Sequence, residues 1–136
     1  MASGIKISDE VVQAFDAVKG HKFKYVTYRV SDDETQIIVE SQVKESTWED
    51  FQAHFPLDKP LWAVYDFDYK SKEDHNRNKL VVLSWCPDEL PIKKKMMHSS
   101  STAALRKKCN GVAYQANDRS DLSYESVKEK VLERSY

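Results

Sequence analysis

Two carboxylates are the side chains whose spacing comes nearest to catalytic chemistry. Asp66 and Asp68 stand two residues apart in "AVYDFDY". Alternation along a strand would place both on one face, as a pair of carboxylates working as acid and base requires. A partner base is not evident, because the four histidines are scattered: His21, His54, His75 and His98. We therefore expect the two aspartates to point into solvent or to cap neighbouring backbone.

Other catalytic and cofactor signatures are missing from the sequence. With glycine only at positions 4, 20 and 111, neither a P-loop nor a dinucleotide fingerprint can be built. There is no GxSxG elbow and no HExxH motif. Cys86 and Cys109 lack CxxC spacing and a neighbouring His pair, which predicts reduced core thiols. We expect no enzyme activity, no cofactor and no metal site.

The segment 91–109, "PIKKKMMHSSSTAALRKKC", predicts a helix with two different faces. At about 100° per residue, one sector carries Lys93, Met96, Ser100, Ala103 and Lys107. The other side carries His98, Ser101, Leu105 and Cys109, which suit packing on a sheet. A soft methionine among small residues and lysines is typical of a helix that docks into a partner's apolar groove. A solvated lysine cluster at a frayed helix start is an equally weighted alternative.

The same helix carries two further local signals. Its lysines lie at the positive end of the helix dipole, which suggests that an external anion compensates them. The hydroxyl run Ser99–Thr102 can bond back to carbonyls one turn earlier and bend the helix. We therefore expect a kink near Ser99.

The elements that must position these residues follow from hydrophobic periodicity. Ser8 and Gly20 bound a first helix, and Pro56 ends a short second one. The predicted elements are helices over 8–20, 46–56, 91–109 and 120–136, and strands over 23–31, 35–42, 61–70, 79–87 and 111–116. This order, αββαββαβα, predicts an α/β (α+β) fold in which a mixed central sheet is flanked by helices on both faces.

Length and charge limit the remaining possibilities. A chain of 136 residues with 40% hydrophobic content suits one domain, 1–136. The 21 basic and 22 acidic residues nearly balance, so bulk electrostatic binding to nucleic acid is not expected. No apolar run approaches the ~20 residues of a membrane span, and a cytoplasmic protein is the expectation.

Six segments of this chain, in order and at matching spacing, resemble the actin-depolymerising factor/cofilin family. They are "MASG", "AVYDFDY", "KLVVLSWCPD", "KKKMMHSSSTAALRKK", "NGV" and "SYESVKEKV". The resemblance implies a single actin-depolymerising homology domain that acts as a monomer in the cytoplasmic actin cytoskeleton. It also implies binding to actin monomers and filaments, preferably in the ADP form, with severing and depolymerisation of filaments.

Carried over position by position, the resemblance assigns two surfaces. The residues implied to bind monomers and filaments are Ser3, Gly4, Lys93, Lys95, Met96 and Ser100. Those implied to bind filaments in addition are Arg77, Lys79, Glu129 and Lys130. Ser3 matches the position of inhibitory phosphorylation, where a phosphate would repel an acidic partner surface. From the residues alone, the basic pair on the strand could be ordinary edge charges, and the pair at 129–130 a solvated helix face.

Three positions depart from the family's pattern. Lys94 replaces a common Ser, which favours phosphoinositide binding through Lys93, Lys94 and Lys95 or a stronger rim of actin contacts. His98 replaces a usual Tyr, which suggests pH-sensitive stability. Glu133 stands where a basic residue is usual, leaving filament affinity open. The alternatives are a phosphoinositide-binding adaptor and an actin binder restricted to monomers, without severing.

Overall fold

The computed structural model describes residues 5–56, 58–71 and 73–133. Its strands are β1 (Lys6–Ile7), β2 (Tyr25–Val30), β3 (Gln36–Val43), β4 (Leu61–Lys70), β5 (Asn76–Trp85) and β6 (Val112–Ala116). Its α-helices are α1 (Asp9–Lys19), α2 (Trp48–Ala53), α3 (Ile92–Lys108) and α4 (Tyr124–Glu133), with a 3₁₀ turn at Arg119–Leu122. No helix in these ranges is long and apolar enough to cross a membrane.

The strands form one mixed sheet in the order β1-β3-β2-β4-β5-β6. The inner pairings β3–β2, β2–β4 and β4–β5 are antiparallel, while β1–β3 and β5–β6 are parallel. A parallel pair needs a crossover connection, and α3 supplies it between β5 and β6. The predicted mixed sheet is confirmed. β1 was not predicted, since its two residues precede the first predicted helix, in a stretch for which no element was predicted.

Alternation along β4 divides the core into two layers. Ala63, Tyr65 and Phe67 face a cluster that includes residues of α2 and α4. Trp62 and Val64 face the opposite cluster, with residues of α1 and α3. Each fully buried large apolar side chain stabilises the fold by about 1.5–3 kcal/mol. The predicted helices on both faces are therefore confirmed, and the two layers with their shared sheet form a single domain.

The end of α1 differs in detail from the prediction. Gly20 has an ordinary φ of −84°, and the left-handed residue is His21, with φ 64°. The Lys22 N–H donates to the Ala17 carbonyl at 2.8 Å, which is the longer bond of a Schellman motif. At the other end, Ser8 has the extended backbone of an N-cap, but its hydroxyl makes no capping bond.

Two other helices begin with a hydrogen bond from the backbone to a capping hydroxyl. The Thr47 hydroxyl caps α2 by accepting from the Asp50 N–H. The predicted C-terminal helix is divided into the 3₁₀ turn and α4, and the Ser123 hydroxyl accepts from the Ser126 N–H at the start of α4. α3 runs as one helix, and its Ser101 hydroxyl bonds back to the Met97 carbonyl at 2.7 Å. The bend near Ser99 stays a prediction.

Candidate functional site

The outward side of α3 carries exposed apolar and basic side chains together. Met96 is 66% exposed and Ile92, one turn earlier, is 73% exposed, and these are the two large apolar side chains exposed in the described part of the chain. Lys93 is exposed, whereas Lys95 and Ser100 are half-buried. We call Ile92, Lys93, Lys95, Met96 and Ser100 the α3 surface. The structure confirms the two-faced helix that the sequence predicted.

Ser3 and Gly4, which the sequence analysis grouped with Lys93, Lys95, Met96 and Ser100, lie outside the described residues. Ile92 was missed at the sequence level, although its spacing of four from Met96 could have revealed it. Such a pair is how an amphipathic helix presents anchors to a groove in a partner.

The charged residues at the start of α3 are all basic. Its first turn contains no acidic residue, so Lys93, Lys94 and Lys95 face the positive end of the helix dipole without compensation from within that turn. This end of the helix is therefore suited to an anionic group on a partner.

A buried polar network holds the underside of α3 on the sheet. The ring of His98, 2% exposed, stacks on Trp62 with centroids 4.4 Å apart and planes 10° apart. His98 Nε2 lies 2.7 Å from Ser84 Oγ. The Trp62 indole N–H donates to Thr102 Oγ1 at 2.7 Å, and that hydroxyl donates to the His98 carbonyl at 2.7 Å. These directional contacts fix the rotation of α3 and thereby the orientation of its outward side.

His98 is neutral near physiological pH in this environment. Burial, with the Arg106 charge nearby, lowers the pKa of His98 to about 4. Its Nδ1 has no hydrogen-bond partner among the described residues. The imidazole thus fills the core position that the resemblance would give to a Tyr.

A second candidate surface lies on the α4 side of the sheet. Arg77 is directly opposite Tyr69, and Lys79 is opposite Phe67. Both aromatic rings belong to the core layer that includes α4, so the two basic side chains share that face. An open cleft of about 470 Å³ there is lined by residues that include Arg77 and Tyr124.

The helix part of this second surface is less basic. Glu129 is exposed, and Lys130 Nζ lies 3.7 Å from Glu133 Oε2. We call Arg77, Lys79, Glu129 and Lys130 the β5–α4 surface. Because α3 and α4 cover opposite faces of the sheet, this surface and the α3 surface face different directions.

The paired aspartates are both engaged, which corrects part of the expectation for them. Asp66 does not point into solvent: it is 7% exposed, with His21 Nδ1 at 2.9 Å and Asn78 Nδ2 at 2.8 Å. A base does lie beside it, contrary to the sequence argument, because the fold brings His21 in from 45 residues away. Asp68 accepts a bond from Lys24 Nζ at 2.7 Å. Each carboxylate thus has its own partner.

The cysteines behave as core thiols. Cys86 and Cys109 are both buried and free, as predicted. Burial raises the pKa of the Cys109 thiol to about 11, which keeps it protonated.

Comparison with known proteins identifies relatives over almost the whole chain. Residues 4–132 match the family model of cofilin/tropomyosin-type actin-binding proteins. The chain is 42% identical to a cofilin of Eremothecium gossypii, covering 95% of this chain and 93% of that one. It is 37% identical to a cofilin of Mycosarcoma maydis, with all of both chains covered. The crystal structure of a Streptomyces griseoflavus cofilin superposes with a TM-score of 0.86 at 33% identity, covering 98% of this chain and all of that one.

Proposed function

Because the chain belongs to the cofilin/tropomyosin-type actin-binding family, we propose that it binds actin monomers and filaments and drives filament turnover. The family makes it an actin-binding depolymerising factor of the actin cytoskeleton. Preference for the ADP form, severing of filaments and a cytoplasmic location are the finer parts of the proposal. It is a binding activity and needs no nucleophile or cofactor.

One observation carries the proposal. Two exposed apolar side chains lie beside lysines on α3, and the opposite side of this helix is packed into the core. An exposed methionine flanked by basic residues provides an adaptable apolar anchor with a charged rim. We propose that Lys93, Lys95, Met96 and Ser100, together with Ser3 and Gly4, contact actin both as a monomer and in the filament. A phosphate on Ser3 would oppose that contact by charge and desolvation.

The β5–α4 surface supplies the second contact of the proposal. A filament presents two neighbouring subunits at once, whereas a monomer presents one. Two surfaces that face different directions suit a filament, with Arg77, Lys79, Glu129 and Lys130 reaching the second subunit. Simultaneous engagement of two subunits also offers a physical route to twisting and severing.

Co-sedimentation with actin filaments tests the proposal, scored for protein in the pellet and for actin left in the supernatant. The wild-type chain should decorate filaments and raise the unsedimented actin, and Lys93→Ala/Lys95→Ala should lose both effects. Wild type that leaves filaments and monomers untouched would contradict actin binding. Measuring ADP- and ATP-actin separately tests the nucleotide preference.

A second candidate is binding of phosphoinositide headgroups through Lys93, Lys94 and Lys95. The observation that favours it is that the first turn of α3 carries three lysines and no acidic residue. Binding to vesicles containing anionic lipid should fall steeply with salt and should not need Met96. Actin binding should instead depend on Met96. Comparing Met96→Ala with Lys94→Ser in both assays separates the two candidates.

A further inference from the structure

We propose that His21, Asp66 and Asn78 form a brace that positions the end of β5 carrying Arg77 and Lys79 for filament binding. The proposal rests on the proposed function and extends it to residues outside either surface. His21 and Asp66 would act through the strand as positioning residues, without contacting actin.

One end of the β4–β5 hairpin extends beyond the neighbouring strands β2 and β6. β2 pairs with β4 only as far as Tyr65, and β6 pairs with β5 only from Val81. Beyond these points Asp66–Lys70 and Asn76–Leu80 pair with each other, and no further strand flanks them in the described part of the chain. At the base of these segments the Asp66 N–H donates to the Lys24 carbonyl at 2.9 Å. We call these two segments the ribbon. A two-stranded ribbon is marginally stable by itself, so packing on its faces must hold it in place.

The α1 side of the ribbon is held by the short connection between α1 and β2. His21 Nδ1 lies 2.9 Å from Asp66 Oδ2, while Asn78 Nδ2 donates to Asp66 Oδ1 at 2.8 Å. Asp66 therefore joins the connection to the strand that carries both basic side chains. Lys24 adds an ion pair to Asp68 at 2.7 Å. On the opposite face, the Tyr124 hydroxyl donates to the Asp68 carbonyl at 2.8 Å.

The backbone of His21 is unusual for its residue type. Its φ of 64° is left-handed, a conformation that glycine adopts without cost and that other residues adopt at a penalty. The Schellman end of α1 needs such a residue, but it does not need an imidazole. The His21 ring instead contacts Asp66, with Nδ1 2.9 Å from Oδ2, and that contact is what a glycine would lose. Backbone strain and ring contact together indicate that the side chain has a role beyond ending the helix.

Asn78 lies between Arg77 and Lys79, and alternation points its side chain to the other face. Fixing Asn78 through Asp66 therefore fixes the strand from the α1 side, while both basic side chains lie on the α4 side. Without the brace the ribbon keeps its hairpin pairing, but its tilt against the sheet is less restricted. Such loosening would weaken a contact that needs Arg77 and Lys79 at set positions.

His21→Gly is the direct test, because glycine relieves the backbone strain and removes only the ring. We expect an unchanged or raised thermal midpoint, unchanged affinity for actin monomers, and about a three- to tenfold loss of filament affinity. Amide hydrogen exchange in residues 66–71 and 73–80 of the free protein should accelerate by a similar factor. Glu34→Gly is the matched control, since Glu34 has the same backbone conformation (φ 59°) at the tip between β2 and β3.

A double-mutant cycle strengthens the test. If His21 and Asn78 both act through Asp66, combining His21→Gly with Asn78→Ser should cost less filament affinity than the sum of the single losses. Additive losses would mean that Asn78 contacts the filament by itself, which would overturn the brace.

The remaining outcomes are also decisive. Equal ratios of filament to monomer affinity in His21→Gly and Glu34→Gly would overturn the positioning role. A lower thermal midpoint with parallel loss of monomer and filament binding would replace it with a general structural role. Wild type that binds no filaments would overturn the proposed function and the filament role with it, while amide exchange would still show whether the brace holds the ribbon.

Discussion

The two candidate surfaces of this molecule are supported in different ways. The α3 surface lies on a helix whose underside is fixed by stacking and hydrogen bonds among buried side chains, centred on His98 and Trp62. The β5–α4 surface is carried partly by a ribbon held by the largely exposed side chain of His21 and the partly buried side chain of Lys24. The first presents apolar anchors on a rigid support, and the second presents charges on a more adjustable one.

This difference suggests a division of tasks. Buried apolar anchors at the centre of an interface carry most of its binding energy. Charges at a rim contribute more to association rate, salt dependence and register. The α3 surface should therefore set the affinity for actin, and the β5–α4 surface should decide whether that affinity extends to filaments.

Met96→Glu should have the largest effect and is the strongest test of this division. A carboxylate in place of the methionine would have to be buried unpaired in the partner's groove, costing about 2 to 4 kcal/mol, or 30- to 1,000-fold in affinity. Monomer and filament binding should fall together, with the free energy of unfolding unchanged because Met96 is 66% exposed. Gln13→Glu, which adds the same charge on the exposed side of α1, should leave both affinities intact. If the Met96→Glu protein still binds monomers, Met96 is not the apolar anchor of the interface.

Arg77→Ala/Lys79→Ala should separate the two surfaces. Filament affinity should fall by about 1 to 2 kcal/mol and lose much of its salt dependence, while monomer affinity stays within twofold. The measurements are filament co-sedimentation at two salt concentrations and titration of labelled actin monomers. Lys19→Ala/Lys22→Ala removes the same charge from the end of α1 and controls for bulk electrostatics. Equal losses for monomers and filaments would mean that the surfaces act as one.

The support under α3 should make stability depend on pH. The pKa of His98 is lowered to about 4 in the folded state, whereas an unfolded histidine titrates near 6.5. The unfolded state therefore binds more protons, so this stability is complete above pH 6.5 and is lost as pH falls toward 4. Between pH 8 and 5.5 the loss should be on the order of 1 kcal/mol, measured by denaturant unfolding. His98→Tyr removes the titrating group, and a difference from wild type that stays constant across this range would refute the expectation.

Much of the fold was predictable because its long elements carry strong periodicity. α1 and the β2–β3 hairpin have apolar residues at regular spacing. α3 has few apolar residues, but helical spacing still separates its buried side, which includes His98, Ser101 and Leu105, from its outward side. β1 could not be predicted, since two residues pair only because β3 is already in place beside them. The left-handed residue at the end of α1 was not predicted either. Glycine adopts a positive φ most readily, which favours Gly20 for this position, whereas the structure has His21 there.

The candidate site was predictable to a similar extent. Met96 and Lys93 follow from helical spacing, whereas the face on which Arg77 and Lys79 lie depends on the register of β4 against β5. The contact between His21 and Asp66 joins residues 45 positions apart, and no local pattern encodes it. Features that depend on strand register or on contacts between distant residues could therefore not be predicted from the sequence.

Glu133→Lys should have the smallest effect, and it tests the α4 part of the β5–α4 surface. Lys130 is paired within α4 to Glu133, at 3.7 Å, and an exposed pair of this kind is worth less than about 1 kcal/mol. Glu133→Lys would free Lys130 and add a charge toward the same partner, so filament affinity should rise by about 0.3 to 1 kcal/mol while monomer affinity stays unchanged. Glu45→Lys makes the same charge change in the exposed loop between β3 and α2 and serves as the control. If Glu133→Lys lowers filament affinity instead, the acidic residue itself contacts the filament, and the surface is matched to a partner with mixed charge.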